Sequence, residues 1–323
     1  MKTLKTIIAI TIISIFGSCS KSSDVVNSTP EPLAFKQFAN LITTIGSKKV
    51  SGIDYSPSTK NLYIGIYPSV GDGFSIIQCN TETKLTTIVY NSPPTAGFGH
   101  PDRLRIFGNS IYAPIRDFGN EKIMKFSGIG TNTLTLANTI TPPPITGLSW
   151  KAPYDIAIVN KMYLLNFFDG NNVRNKITVG DAPNFTNLTN FSVVNYLDID
   201  SSLVHATFNN VPYLIICSRG NLMSVYNPST GAFIRSVQSP PSITNPQNAC
   251  ALAKDSQGRV YNLTDKKIIR YSADLLSKEE FNIQNGSDVG QFAIAEEADK
   301  IIIYTYGFAD NTNIGIKSIT LPK

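Results

Sequence analysis

The sequence predicts an all-β fold, a ring of six small sheets of the kind called a β-propeller. Short runs of alternating or β-branched apolar residues, bounded by Gly, Asn, Asp and Pro, are typical of β-strands. These runs recur in one order at a spacing of about 40–50 residues, which is the period of propeller blades. No helical periodicity of more than ~10 residues follows the N-terminal segment. Six copies of the unit can be distinguished, which favours six blades over seven.

The repeating unit is clearest between Val50 and Tyr90, where turns separate the strand-like runs VSGIDYS, LYIGIYP, SIIQCN and LTTIVY. The second run of each unit follows a tight turn rich in Asn, Gly, Asp or Lys, and it serves as a marker. The six markers are NLYIGIY (Asn61–Tyr67), NSIYAPI (Asn109–Ile115), KMYLLNF (Lys161–Phe167), VPYLIIC (Val211–Cys217), RVYNLT (Arg259–Thr264) and KIIIYTY (Lys300–Tyr306). Each marker follows a run that predicts a first strand: SGIDYS, DRLRIF, YDIAIV, SLVHATF, ACALAK and QFAIAE.

The two ends of the chain predict how the ring closes. The sixth unit ends at Lys323 after only three strands, whereas Leu33–Thr43 (LAFKQFANLIT) is a strand-like run that belongs to no unit. A circular array of sheets leaves exposed edges unless its two ends pair with each other. We therefore expect residues 33–43 to supply the fourth strand of the last blade, so that residues 33–323 form one domain.

The N-terminus has the features of an export signal. Lys2 and Lys5 precede the apolar run Ile7–Phe16, which is too short to span a bilayer as a helix. The sequence Phe-Gly-Ser-Cys at its end resembles the lipobox of bacterial lipoproteins, although Phe16 stands where that motif usually has Leu. The resemblance implies that Cys19 is lipidated and becomes the new N-terminus. The alternative is an ordinary signal peptide with an incidental cysteine.

These features divide the chain into a signal peptide (residues 1–18), a tether (residues 19–32) and the propeller. After the cysteine the tether reads SKSSDVVNSTPEP, which is small, polar and proline-ended, as flexible linkers are. Ser20 directly after the cysteine resembles the pattern of lipoproteins that are sent to the outer membrane. The resemblance implies a cell-envelope protein that is anchored to the outer membrane through Cys19.

Composition excludes some partners and frameworks. The 323 residues are 42% hydrophobic and 16% charged, which is enough for a large core. Loss of the signal peptide removes two lysines and no acid, so the net charge falls from +5 to +3, too little to indicate a nucleic-acid partner. Cys79, Cys217 and Cys250 each lie in or beside an apolar run, which predicts small buried side chains rather than a disulfide framework. A single disulfide stays open as an alternative.

One unit carries a resemblance to a known family. The phrase VYNPSTGAFIRSV (Val225–Val237) resembles the repeats of YVTN and quinoprotein-type propellers, in which an aromatic strand runs into an NPSTG turn. The resemblance covers one blade well and the others loosely, and it implies the propeller fold. It does not imply the quinone cofactor, because Trp150 is the only tryptophan in the chain.

One face of the ring is the expected binding surface. Propellers usually bind through the loops that lead into the first strands and those that join second to third strands. Aromatic, acidic, amide and basic residues in these loops suit a small polar ligand, a glycan or an envelope protein. The candidate residues are His100, Asp102, Arg103, Arg116, Asp117, Trp150, Lys151, Asp169 and Arg219. The alternative is a set of solvated hairpin loops that need Gly, Asn and Asp for turn geometry.

Few residues suit catalysis. His205 lies within the apolar run SLVHATF, which favours a core or channel histidine. His100, in a loop beside Asp102 and Arg103, is the best candidate for proton transfer. Near the first strands, Asp54, Asp102, Asp155 and Asp198 are the candidate ligands of a divalent cation such as calcium in the central channel. The spacing of the acidic residues lacks the EF-hand pattern, so the cofactor is otherwise unspecified.

These observations favour a lipid-anchored binding module without catalytic activity, whose ligand is a small polar molecule, a glycan or an envelope protein. The alternative is a metal-dependent hydrolase, lactonase or lyase with a divalent ion in the central channel. A scaffold of a multiprotein envelope complex is a third hypothesis.

Overall fold

The structure is a computed structural model, and it describes residues 31–41, 49–67, 73–93, 99–116, 121–141, 149–169, 176–194, 201–218, 221–239, 251–264, 266–284, 291–308 and 314–323. Pro32–Lys323 form one compact unit. The described residues contain strands and no helix, so none of them forms a helix that could cross a membrane.

Six sheets, called blades 1 to 6 in chain order, are arranged in a ring. Two N-terminal strands precede them, β1 (Leu33–Ala34) and β2 (Lys36–Asn40). Blade 1 contains β3 (Lys49–Ser56), β4 (Asn61–Tyr67), β5 (Ser75–Asn80) and β6 (Thr86–Asn91). Blade 2 contains β7 (His100–Pro101), β8 (Arg105–Phe107), β9 (Ser110–Arg116), β10 (Lys122–Ser127) and β11 (Thr135–Ile140). Blade 3 contains β12 (Ser149–Ile158), β13 (Lys161–Asp169), β14 (Lys176–Asp181) and β15 (Thr186–Ser192).

The remaining three blades complete the ring. Blade 4 contains β16 (Ser202–Phe208), β17 (Val211–Ser218), β18 (Leu222–Tyr226) and β19 (Phe233–Gln238). Blade 5 contains β20 (Leu252–Lys254), β21 (Val260–Leu263), β22 (Lys267–Tyr271) and β23 (Lys278–Gln284), with β1 at its outer edge. Blade 6 contains β24 (Phe292–Glu296), β25 (Lys300–Phe308) and β26 (Ile314–Pro322), with β2 as its fourth strand.

The architecture confirms the predicted six-bladed propeller. The second strands of the blades, β4, β9, β13, β17, β21 and β25, fall on the six markers, and their ends differ from the prediction by at most two residues. The predicted closure is also confirmed, because β2 pairs antiparallel with β26, with Lys36 opposite Ser318 and Asn40 opposite Gly315.

The closing segment differs in one respect from the single strand expected over residues 33–43. Its first part, β1, instead pairs parallel with β23, with Leu33 opposite Ile283. The reason is the placement of its apolar side chains: Leu33 and Phe35 pack between blades 5 and 6, whereas Phe38 packs between blades 6 and 1. The segment therefore packs at two blade interfaces. Residues 42 and 43 of the predicted strand lie outside the described part of the chain.

The apolar core consists of six clusters, each formed by two neighbouring blades. Strand β4 illustrates the pattern: Leu62 and Ile64 pack against blade 6, whereas Tyr63 packs against blade 2, because successive side chains of a strand point to opposite faces. Cys79 and Cys217 are buried in two of these clusters, as predicted, whereas Cys250 lies outside the described residues.

The first strand of blade 2 departs from the predicted run DRLRIF. It is divided into β7 and β8 by Asp102–Leu104, and both pieces pair with β9. Pro101 is opposite Ile115 and Arg105 is opposite Tyr112. The first strand therefore has one residue more than β9 between these two pairs, which makes a β-bulge. Gly52 permits this bulge, because a Cβ at Gly52 would lie 2.6 Å from the backbone N of Leu104.

Candidate functional site

The first strands of the six blades surround the central channel. They are β3, β7 with β8, β12, β16, β20 and β24, and each is in contact with the first strand of a neighbouring blade. We call the end of the channel where these strands begin the N-terminal mouth, and the end where they finish the C-terminal mouth. The polar side chains of these strands that face the channel define its chemistry.

A buried ion pair occupies the middle of the channel. The guanidinium of Arg105 on β8 donates from Nε to Oδ1 of Asp155 at 2.8 Å and from Nη2 to Oδ2 at 2.7 Å. Asp155, on β12, is fully buried, and the Arg105 side chain is 15% exposed. This bidentate geometry is the strongest arrangement of an arginine and a carboxylate.

The ion pair also joins blades 4 and 5. Oδ2 of Asp155 accepts from the hydroxyl of Ser202 at 3.0 Å and from the backbone N–H of Leu203 at 2.9 Å. The Ser202 hydroxyl accepts from the backbone N–H of Leu252 at 3.2 Å, and the Leu252 carbonyl accepts from Arg105 at 3.4 Å. Four blades are thus linked by hydrogen bonds around one carboxylate.

Blades 6 and 1 are linked to the same region. The amide of Gln291, just before β24, donates to the carbonyl of Ser51 at 3.1 Å and to that of Asp102 at 2.5 Å. Asp54, on β3, accepts from the backbone N–H of Ile106 at 2.6 Å. We call the contacts that involve Arg105, Asp155, Ser202, Leu252, Asp54 and Gln291 the channel network.

A second arginine strengthens the field around Asp155. Arg103, in the bulge of blade 2, is 5% exposed, and its Nε lies 3.5 Å from Oδ2 of Asp155. Its Nη2 donates to the carbonyl of Ser201 at 3.4 Å. Burial by itself would raise the pKa of Asp155, but the charges of Arg105 and Arg103 and the hydrogen bonds outweigh it and lower that pKa.

The pKa of Asp54 is shifted in the opposite direction to that of Asp155. Burial raises the pKa of Asp54, and the charge of Arg105 together with the backbone N–H groups of Ile106 and Tyr55 only partly opposes this. Two carboxylates on neighbouring parts of the channel therefore have pKa values shifted apart.

Below the ion pair, a cavity of about 510 Å³ opens towards the C-terminal mouth. Residues of all six first strands, mostly from their C-terminal halves, line it, and most of these residues are apolar. Its charged and titratable lining residues are Asp54, Tyr55, Arg105, His205, Lys254, Asp255 and Glu296. A volume of this size with a few polar groups on apolar walls is typical of small-molecule sites.

His205 points to this cavity from β16. Its side chain is 8% exposed and stacks on Tyr163, with 6.1 Å between ring centroids. Burial, together with the charge of Lys254, lowers the pKa of His205 to about 4, so the imidazole is neutral at pH 7. The structure thus places His205 at the channel, one of the two positions that the sequence favoured.

Most residues of the predicted binding face are not brought together with the cavity. His100, Arg116, Trp150, Lys151 and Asp169 belong to the ends of β7, β9, β12 and β13 at the N-terminal mouth, Asp102 and Arg103 lie in the bulge, and Asp117 and Arg219 lie outside the described residues. A role for that face stays a prediction, and so does the role of His100 in proton transfer.

The candidate metal ligands are also dispersed. Asp54 lines the cavity, Asp155 lies in the channel network and Asp102 lies in the bulge, whereas Asp198 is outside the described residues. In the part of the chain that the structure describes, no three His, Cys, Asp or Glu side chains form a group that could hold a metal ion. The oxygens of Asp155 already accept from Arg105, Ser202 and Leu203.

Arg105 and Lys254 were missed at the sequence level. Both lie in runs predicted as first strands, DRLRIF and ACALAK, where a charge interrupts apolar residues. Aligning the first strands would have revealed the signal, because Asp54, Arg105, Asp155 and His205 each stand inside such a run. A charge at that place in a propeller faces the channel, since the faces of the blades pack against their neighbours.

No protein-family model and no curated protein matches the sequence. Solved structures do match. A gluconolactonase from Xanthomonas campestris, XC5397, has a TM-score of 0.58 at 10% identity, with 90% of this chain and 95% of that chain covered. The WD40 β-propeller domain of Doa1 has a TM-score of 0.54 at 12% identity, with 90% and 97% covered. A chain of the mitotic checkpoint complex has a TM-score of 0.51 at 13% identity, with 84% and 74% covered.

At these identities the similarity concerns the fold alone. The chain is a six-bladed β-propeller whose structural neighbours include WD40 and gluconolactonase-like proteins.

Breaking the central ion pair should destabilise the propeller strongly. Asp155→Asn or Arg105→Met leaves a buried partner without its counterpart, so we expect each to lower the free energy of unfolding by about 3–5 kcal/mol. The double variant Arg105→Met/Asp155→Asn should lose much less than the sum. Urea unfolding at pH 7 of the wild type, the single variants and the double variant measures this, and additive losses would contradict a direct interaction.

The ion pair should also make the stability of the protein depend on pH. A lowered pKa of Asp155 stabilises the folded state above the unfolded value of ~3.9, and this contribution is lost as the pH falls through the folded value. Wild-type stability should therefore fall more steeply below pH ~4 than that of Asp155→Asn, and identical slopes would contradict the assignment.

The two histidines permit a direct test of the cavity environment. A neutral buried imidazole keeps its full contribution to stability above pH ~6.5 and loses it as the pH falls towards the folded value. NMR titration of His100→Gln, in which His205 is the remaining histidine, should give a midpoint near pH 4. A midpoint near 6.5 would place His205 in water rather than in the cavity wall.

Proposed function

We propose that this protein is a non-catalytic, lipid-anchored propeller of the cell envelope that binds a small ligand in the cavity at its C-terminal mouth. The observation that carries this proposal is the cavity of about 510 Å³ formed by the first strands of all six blades. A concave space of this size, open at one end, suits a small ligand better than an extended glycan or a flat protein surface. Strands of six packed blades also hold such a site rigidly, which reduces the ordering cost of binding.

The location forms part of the proposal. The apolar run Ile7–Phe16 and the lipobox-like sequence before Cys19 support export and lipidation, and Ser20 supports transfer to the outer membrane. A single acyl chain binds membranes weakly, so stable anchoring requires the multiple chains that lipidation of such a cysteine supplies. The membrane is therefore one partner, and the ligand of the cavity is the other.

The alternative function is a metal-dependent hydrolase, lactonase or lyase. The name of the Xanthomonas campestris neighbour and the shifted pKa values of Asp54 and His205 in one cavity support it. The channel network argues against it, because the oxygens of Asp155 are engaged and the charge of Arg105 lies where a divalent ion would sit. We therefore place binding ahead of catalysis.

The binding role predicts that occupying the cavity abolishes ligand binding. Thr207 lines the cavity and is exposed, so Thr207→Trp should fill its mouth without disturbing the core. Thr189→Trp is the matched control, since Thr189 is exposed on the outer strand β15 away from the cavity. Compounds that raise the melting temperature of the purified protein should bind the wild type and Thr189→Trp, but not Thr207→Trp.

The same purified protein separates binding from catalysis. We expect no stoichiometric divalent metal, no change of melting temperature with EDTA, and no turnover of lactones, glycosides or esters. A stoichiometric ion, together with turnover that EDTA abolishes, would contradict the proposal and establish the alternative.

A further inference from the structure

Among the residues that the structure describes, Lys254 is the charged group of the cavity without a hydrogen-bond or ion-pair partner. It lies at the end of β20 and lines the cavity. Within the described residues its ammonium has no ion pair or hydrogen bond. Asp255, the carboxylate whose charge acts on it, is already paired with Arg259 at 2.6 Å and accepts from Tyr261 at 3.0 Å.

The other charges at the cavity are balanced. Asp54 and Asp155 face Arg105 and Arg103, and Glu296 accepts from the hydroxyl of Ser256 at 2.7 Å and lies 3.4 Å from Nζ of Lys323. With Asp255 and Arg259 paired, the described groups leave one positive charge over, that of Lys254. A cavity with one unpaired ammonium attracts a ligand with one negative charge.

Partial burial beside the cavity destabilises the charged form of Lys254. The side chain is exposed because it borders the cavity, yet the protein on all other sides replaces much of the surrounding water and lowers the pKa of Lys254. An anion bound beside the ammonium would remove this penalty, since an opposite charge favours the charged form.

The walls indicate the rest of the ligand. Apolar side chains from blades 2, 3, 4 and 6 line the same cavity and include Ile106, Phe107, Ile156, Leu203, Val204 and Ile294. Phe107 is 41% exposed at the rim, so apolar surface continues from the cavity to its mouth. Burial of an apolar chain against such walls contributes about 0.8 kcal/mol for each methylene.

On the basis of the proposed function, we infer that the cavity binds an amphipathic monocarboxylate, with its carboxylate on Nζ of Lys254 and its apolar chain along the walls. The neutral His205 offers one donor or acceptor to the same head group from the neighbouring blade. A phosphate group fits less well, because its binding sites combine several N–H donors, whereas the donors of Arg105 are engaged with Asp155.

The test compares decanoate with 1-decanol, its uncharged counterpart, by isothermal titration calorimetry below the micelle concentration. The wild type should bind decanoate about ten- to a hundredfold more tightly than 1-decanol, as expected for one charge-assisted contact. Lys254→Met should remove this difference and leave the affinity for 1-decanol unchanged, whereas Lys254→Arg should retain much of it. Lys300→Met is the control, because Lys300 belongs to the C-terminal mouth but pairs with Glu297 outside the cavity.

The outcomes separate this inference from the proposed function. Equal binding of decanoate and 1-decanol, or tight binding of decanoate that survives Lys254→Met, would overturn the inference while the binding role stands. The inference would also be overturned, and the binding role would stand, if decanoate did not bind while other compounds bound the wild type and not Thr207→Trp. No compound binding in the cavity at all would overturn both.

Discussion

The ion pair between Arg105 and Asp155 is the interaction on which the rest of the structure depends. Among the described strands, no backbone ladder joins the first to fourth strands of one blade to those of the next, and neighbouring blades adhere largely through apolar clusters, which are strong but not directional. Hydrogen bonds such as Leu134 N–H to the Val89 carbonyl and Ser256 to Glu296 each join two blades. The channel network joins more blades at one point, because one carboxylate is bonded from blades 2, 3 and 4 and indirectly from blade 5. This network fixes the position of the first strand of each blade relative to its neighbours. Apolar contacts alone would not determine these positions.

The same network decides where chemistry can take place. By engaging Asp155, it turns the middle of the channel into a structural element and leaves the cavity at the C-terminal mouth as the accessible space. The groups of that cavity are therefore the ones to explain. Two of them, His205 and Lys254, lie on neighbouring blades; burial lowers the pKa of both, and the charge of Lys254 lowers that of His205 further.

Much of the fold could be predicted from the sequence, and less of the site. Second strands such as Asn61–Tyr67 could be predicted because their signals, alternating side chains and turn residues, occupy consecutive positions in the sequence. Ring closure followed from one missing strand. The bulge at Asp102–Leu104 and the partner of Arg105 depend on another blade, and no local pattern specifies which charges meet across a channel. The split of residues 33–40 between two blades is non-local for the same reason.

Diffraction from crystals soaked in Mn²⁺ tests the central claim most directly, since this ion replaces Ca²⁺ and gives an anomalous signal. The account predicts the guanidinium of Arg105 on both oxygens of Asp155, with no anomalous peak in the channel. An anomalous peak with Asp155 among its ligands, and Arg105 displaced, would contradict it.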